Sequence, residues 1–137
     1  MIPDFDRMGA AISLRRASEQ SGVAIGDVRY AGIYDSFTIT LIMLLEELGL
    51  AGRGEAAARV RGGYFSRDGE VPLNTHGGLL SYGHCGVGGA MAHLVETHLQ
   101  MTGRAGARQV KDASVALLHG DGGVLSSHVS MFLEQVR

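Results

Sequence analysis

Tryptophan is absent from the 137-residue chain, proline occurs twice and cysteine once. A single cysteine excludes a disulfide framework within the chain and a four-cysteine zinc site. It fits a reducing compartment. Neither sign of charge dominates: 12 Lys and Arg stand against 14 Asp and Glu, and the pI is near 6.3. That balance removes any general electrostatic argument for nucleic acid or for an anionic membrane surface. Long apolar runs are lacking too. The longest, Ile39 to Leu45, is interrupted by Thr40 and falls far short of a membrane span. Met1-Ile2-Pro3-Asp4 does not have the basic-then-apolar order of a signal peptide. The expected location is cytoplasmic.

What is present is an ordinary apolar share, 45% of residues, with only 19% charged. Such a chain buries a core rather than staying disordered. Its length suits one domain, residues 1–137. Glycine is the excess: 21 residues, about twice the usual share.

Asp6 to Gly22 reads as a helix, with Asp6 as its cap and Gly22 as its stop. Val28 to Tyr34 is β-rich and reads as a strand. Asp35 or Ser36 then caps a helix from Phe37 to Leu48. That helix is apolar nearly all round, the pattern of a helix buried on more than one side. Residues 52–82 form a long Gly-rich loop with one short helix, Glu55 to Arg61, and loops of this length are usually functional or docked. A further helix, Gly88 to Met101, has Met91, Leu94, Val95, His98 and Leu99 on one face. His93, Glu96, Thr97 and Gln100 lie on the other. Ser114 to His119 and Val124 to Leu133 read as a hairpin around Gly120-Asp121-Gly122-Gly123. Helices alternating with strands give an α/β class with a mixed sheet. Three strands are few, so one of them needs a pairing segment that the pattern does not reveal.

The chemistry concentrates in Asn74-Thr75-His76-Gly77-Gly78-Leu79-Leu80-Ser81-Tyr82-Gly83-His84-Cys85 and the glycines that follow. Close-set glycines bring backbone near a ligand or set positive-φ turns. The run ends at a helix start, where free N–H groups favour an anion or a developing oxyanion. A histidine just ahead of it, His84, can move a proton near neutral pH. No Walker Lys-Ser/Thr follows, and no strand leads directly into the run as a dinucleotide fingerprint requires. A binding or catalytic loop and a purely structural turn both remain open at this point. No HExxH pair occurs, and His93 and His98 are five apart, so no metal is implied.

These residues resemble the carboxy-terminal motifs of thiolases, most closely the sterol-carrier or lipid-transfer type. Asn74 to His84 looks like the family's Asn…Gly-Gly…Gly-His-Pro stretch. Tyr34-Asp35-Ser36-Phe37 resembles its Asn-Glu-Ala-Phe or His-Asp-Cys-Phe motif. His119-Gly120-Asp121-Gly122-Gly123 stands where the family has its last Cys-x-Gly-Gly-Gly loop. The resemblance implies one half of a layered αβαβα thiolase-type fold with a buried helix, expected to be Phe37 to Leu48. It implies an acyltransferase domain acting on acyl-CoA thioesters, with coenzyme A entering as part of the substrate and no cofactor. The family's nucleophilic cysteine lies in an amino-terminal half that these residues do not include, and Cys85 stands where the family has a proline. The expected partners are therefore a homo-oligomer, a separate amino-terminal half or an accessory subunit. The alternatives are a thiolase-like retro-aldol lyase subunit and a non-catalytic domain that binds an acyl chain or a partner.

Carried over residue by residue, the resemblance makes His84 the oxyanion and activating histidine. It sets His119 at the acid/base cysteine position, and Tyr34 and Ser36 in the strand-end motif. Asn74, Gly77, Gly78, Gly83, Gly122 and Gly123 become substrate-loop residues. Each has a plainer reading: His84 as a loop histidine, His119 and Tyr34 as strand ends, Ser36 as a helix cap, Asn74 and the glycines as loop shape. If His84 and His119 serve one substrate, their side chains share a pocket.

Overall fold

The computed structural model describes residues 8–123 and 125–136. Asp6, the expected first cap, and Val124, the expected start of the last strand, lie outside them. The sheet is mixed and three-stranded, in the order β1 (Tyr30–Ile33), β2 (Val115–Gly122), β3 (Ser127–Glu134). β1 runs parallel to β2, with Ile33 opposite His119. β3 returns antiparallel, with His119 opposite Ser130.

Helices α1 (Ala10–Ser21) and α2 (Thr38–Glu47) belong to one side of the sheet. Ala31, Ile33 and Leu117 bury there with Ala10, Leu44, Leu45 and Leu48. Helix α5 (Gly89–Met101) packs on the opposite side, against β1 and β2. The pairing segment that the sequence left unidentified comes from the Gly-rich stretch. Leu73 bridges Ala31 in parallel, Ala31 N–H donates to Pro72 O, and Asn74 N–H donates to Ala31 O. The stretch is thus docked along the outer edge of β1. It also carries α3 (Ala56–Arg61) and the one-turn helix α4 (Leu79–Tyr82).

Two expectations are corrected. Phe37 and Ile39 are 68% and 64% exposed, so α2 is not buried all round; its buried residues are Thr40, Leu44 and Leu45. Helix α5 is inverted relative to a simple amphipathic helix: it buries His93, Glu96, Thr97 and Gln100, and exposes Met91 and Val95. Glu96 and Gln100 are satisfied locally, whereas the His93 ring nitrogens make no hydrogen bond among the described residues. Arg108 donates to Glu96 at 2.9 Å, Thr75 donates to Glu96 at 2.8 Å, and Gln100 donates to Arg108 O at 2.8 Å. A polar face can be buried when most of its groups are paired, and an unpaired one that remains calls for its own explanation.

Candidate active site

The parallel strands β1 and β2 end on the same side, and the carboxyl ends of such strands are where open α/β sheets place their sites. Asn74 fixes the end of β1. Its side chain accepts from Ile33 N–H at 2.9 Å and donates to Ile33 O at 2.7 Å. It completes the sheet edge with its side chain, and so sets where the next residues, Tyr34 and Asp35, emerge.

Tyr34 is half-buried on the α5 side, and its hydroxyl is hydrogen-bonded to His84 Nε2. The rings meet edge to face at 5.6 Å. His84 Nδ1 accepts the Gly86 N–H at 2.9 Å. That bond fixes the neutral ring with its proton on Nε2, donating to the tyrosine oxygen. The tyrosine's own proton is then free to point outward. Burial, followed by Asp121 and Asp35, raises the Tyr34 pKa above its ordinary value. Tyr34 therefore rests as the phenol, a proton donor. Gly89 leaves room for the close approach of α5: an added Cβ would stand 3.0 Å from Leu79 Cδ1 and 3.4 Å from His84 Nε2.

Asp35 sits beneath this pair, 3% exposed. Asp35 or Ser36 was expected to cap α2, but the residue at that position is Phe37, with no side-chain cap. Instead the Asp35 carboxylate accepts the first N–H groups of α4, from Leu79 at 3.0 Å and Leu80 at 3.2 Å. His93 Nε2 stands 3.2 Å from Asp35 Oδ1, at ion-pair distance but off the hydrogen-bond axis. Burial alone works to raise the Asp35 pKa. The His93 contact and the two N–H bonds outweigh it, so the carboxyl stays below its usual range and is ionised at neutral pH. The His93 ring in turn lies 6.4 Å from the Tyr34 ring and 5.0 Å from the His76 ring, edge to face in both cases.

His119 is elsewhere. Its register partner Ile33 faces the α1–α2 core, and His119 is 3% exposed on that side. Nδ1 is bonded to Ser130 Oγ at 2.9 Å and Nε2 to His128 Nδ1 at 3.3 Å, and Ser130 reaches Ser13 of α1. Burial, then His128, pushes its pKa down to about 3. The His119 ring is thus not brought to His84: its partners are on β3, and alternation along the strands turns Tyr34 and His119 to opposite faces.

Ser36 is half-buried in the turn before α2. Gly77 and Gly83 have positive φ and are exposed, and Gly122 and Gly123 lie at the β2–β3 turn. Gly78, at φ 69°, is the demanding one: an added Cβ would lie 2.1 Å from Asp35 Oδ2. Cys85 is exposed. Among the described residues no three of His, Cys, Asp and Glu converge on a metal position.

Sequence reasoning missed Asp35 as a tie between segments, His93 behind the tyrosine, and Asp121. The Asp121 carboxyl is lifted by burial, against the pull of His128 and the Leu125 N–H, and its Oδ1 has no hydrogen-bond partner among the described residues. Nothing in residue spacing marks the first. The second was visible only as one member of α5's polar face.

Residues 1–135 match the family described as "Thiolase C-terminal domain-like". The acetyl-CoA acetyltransferase of Methanothermobacter thermautotrophicus is 32% identical over 130 residues, 92% of this chain and 34% of that protein. Sterol carrier protein 2 of Oryctolagus cuniculus is 36% identical over 108 residues, 79% of this chain and 20% of that protein. A solved structure described as "Ltp2-ChsH2(DUF35) aldolase" superposes with a TM-score of 0.79 at 28% identity, over 92% of this chain and 31% of that one. The chain therefore spans about a third or less of the relatives it matches.

Proposed function

The chain belongs to the thiolase family, as its carboxy-terminal domain, and from that membership we propose that it is the catalytic domain of an enzyme acting on acyl-CoA thioesters. The reaction makes or breaks a C–C bond next to the thioester carbonyl. The observation that carries this reading is the Tyr34 hydroxyl held by His84 Nε2–H at the end of β1, beside the start of α5. A phenol oriented through its oxygen can give its proton to a developing oxyanion, and the imidazole N–H then stabilises the phenolate that remains. The first-turn N–H groups of α5 add a favourable field for the same charge.

The domain works with the rest of a thiolase-family protein, on the same chain or on another. The support is a groove of about 370 Å³ between α5 and the sheet, walled mainly by apolar residues such as Met91 and Leu94 of α5 and Val129 and Met131 of β3, with His93, His119 and Asp121 also on its lining. Apolar surface on both an inverted helix and a sheet face suits a buried interface.

Retro-aldol cleavage is a second reading, favoured by one residue. A phenol at Tyr34 suits proton exchange with a β-hydroxyl or an enolate. An aldolase stands among the structural relatives. In that reaction a base takes the hydroxyl proton, the adjacent C–C bond breaks to leave a carbonyl compound, and the thioester enolate is protonated. Both readings are tested by incubating the assembled enzyme with acetoacetyl-CoA plus coenzyme A, and separately with a β-hydroxyacyl-CoA. Thiolysis of the first supports acyl transfer, and cleavage of the second supports the lyase. Turnover of neither contradicts the proposal.

A further inference from the structure

Three segments far apart in sequence meet at one buried carboxylate: the end of β1, the one-turn helix α4 and the middle of α5. We propose that Asp35 is the positioning residue of this site, tying those segments together so that the Tyr34 hydroxyl and His84 Nε2 meet. It rests on the proposed function only in treating Tyr34 and His84 as the working pair; the geometry stands without it.

Each tie can be named. Asp35 follows Tyr34 directly, so anchoring its carboxylate limits how the Tyr34 backbone turns at the strand end. Its two oxygens hold the N–H groups of Leu79 and Leu80, and His84 lies four residues beyond Leu80. Oδ1 also faces His93 Nε2, whose ring edge abuts Tyr34. The carboxylate is therefore next in the chain to one member of the pair and holds the one-turn helix that leads to the other. Gly78 leaves the space that this arrangement needs, since a Cβ there would overlap Oδ2 at 2.1 Å.

The same charge acts on Tyr34 through space. The groups that bear on the phenol are Asp121, Asp35, the ring of His93 and the N–H of His84. The two carboxylates favour the neutral phenol, and His84 Nε2–H favours the phenolate. Gly86 N–H selects the His84 tautomer, and the carboxylate enters by holding α4, and with it the His84 loop, where that bond and the Tyr34 contact both form.

The test uses the 137-residue chain and needs no substrate. Tyr34 is titrated by ultraviolet difference absorbance against Tyr34→Phe, and the His84 ring nitrogens are read by nitrogen-15 NMR. In the unaltered chain His84 should show a proton on Nε2 and an accepting Nδ1. Asp35→Asn should lower the Tyr34 midpoint and mix the two His84 tautomers. Gly78→Ala keeps the charge but displaces the carboxylate, so it too should lose the fixed tautomer. If the fixed tautomer persists in both variants, or the Tyr34 midpoint is unmoved in Asp35→Asn, the proposal is overturned. Should Asp35→Asn not fold, Gly78→Ala decides on the tautomer alone. Absence of acyl-thioester turnover would sink the functional reading and leave both readouts standing.

Discussion

Tyr34 and His84 divide one task between two chemistries. The imidazole is oriented by Gly86 and presents a fixed N–H, while the phenol presents the mobile proton. His84→Ala removes the donor to the tyrosine oxygen. In the assembled enzyme it should cost about 2.7–4 kcal/mol of barrier, the range seen when one oxyanion donor is lost. Steady-state kcat measures this, with thermal melting as a control; an exposed histidine should change the melting little. His119 makes a different prediction. Folded, it stays neutral down to about pH 3, whereas the unfolded chain takes up that proton near pH 6.5. Between those values the unfolded state binds the extra proton, so stability falls as the pH drops. The contribution is fully present above 6.5, and its slope is at most about 1.4 kcal/mol per pH unit. Denaturant unfolding of His119→Gln across that window should show a shallower decline.

Among the elements, α5 shows best what pattern can and cannot reveal. Its extent was legible from Gly88, Met101 and the apolar spacing between them. Which face it buries was not, because Met91 and Val95 formed the stripe that normally points inward. The inversion depends on Arg108 and Thr75, which reach Glu96 from distant loops and cannot be inferred from helical periodicity. Glu96→Ala should therefore destabilise the fold by about 1–3 kcal/mol, through Thr75 and Arg108 losing their shared acceptor. Chemical denaturation would read it, and a loss within error would mean the buried face tolerates an open network. β1 was equally legible as a strand. Its outer pairing was not, since Leu73 and the Asn74 side chain supply it from inside a Gly-rich stretch without strand pattern. The orientation of His119 was hidden for a simpler reason: motif order gives sequence position, whereas the face depends on strand register.

For the whole molecule, the unusual quantity is apolar surface. Met91, Val95, Val129 and Met131 lie exposed on α5 and β3, and the matched relatives carry chain that these residues do not cover. The isolated chain should self-associate, and Met91→Glu combined with Val129→Lys should reduce that association while leaving the fold intact. Sedimentation velocity measures this directly. A paired charge substitution at Phe37 and Ile39, exposed apolar residues at the start of α2, serves as the control. The central claim joins this surface to the site, and one measurement tests it most directly. The protein is isolated with its native assembly, and the complex is assayed with CoA thioesters, unaltered and with Tyr34→Phe. The account predicts turnover that falls about a hundredfold or more in the variant, with the complex still intact by native mass spectrometry. Equal turnover in the intact Tyr34→Phe complex would contradict it.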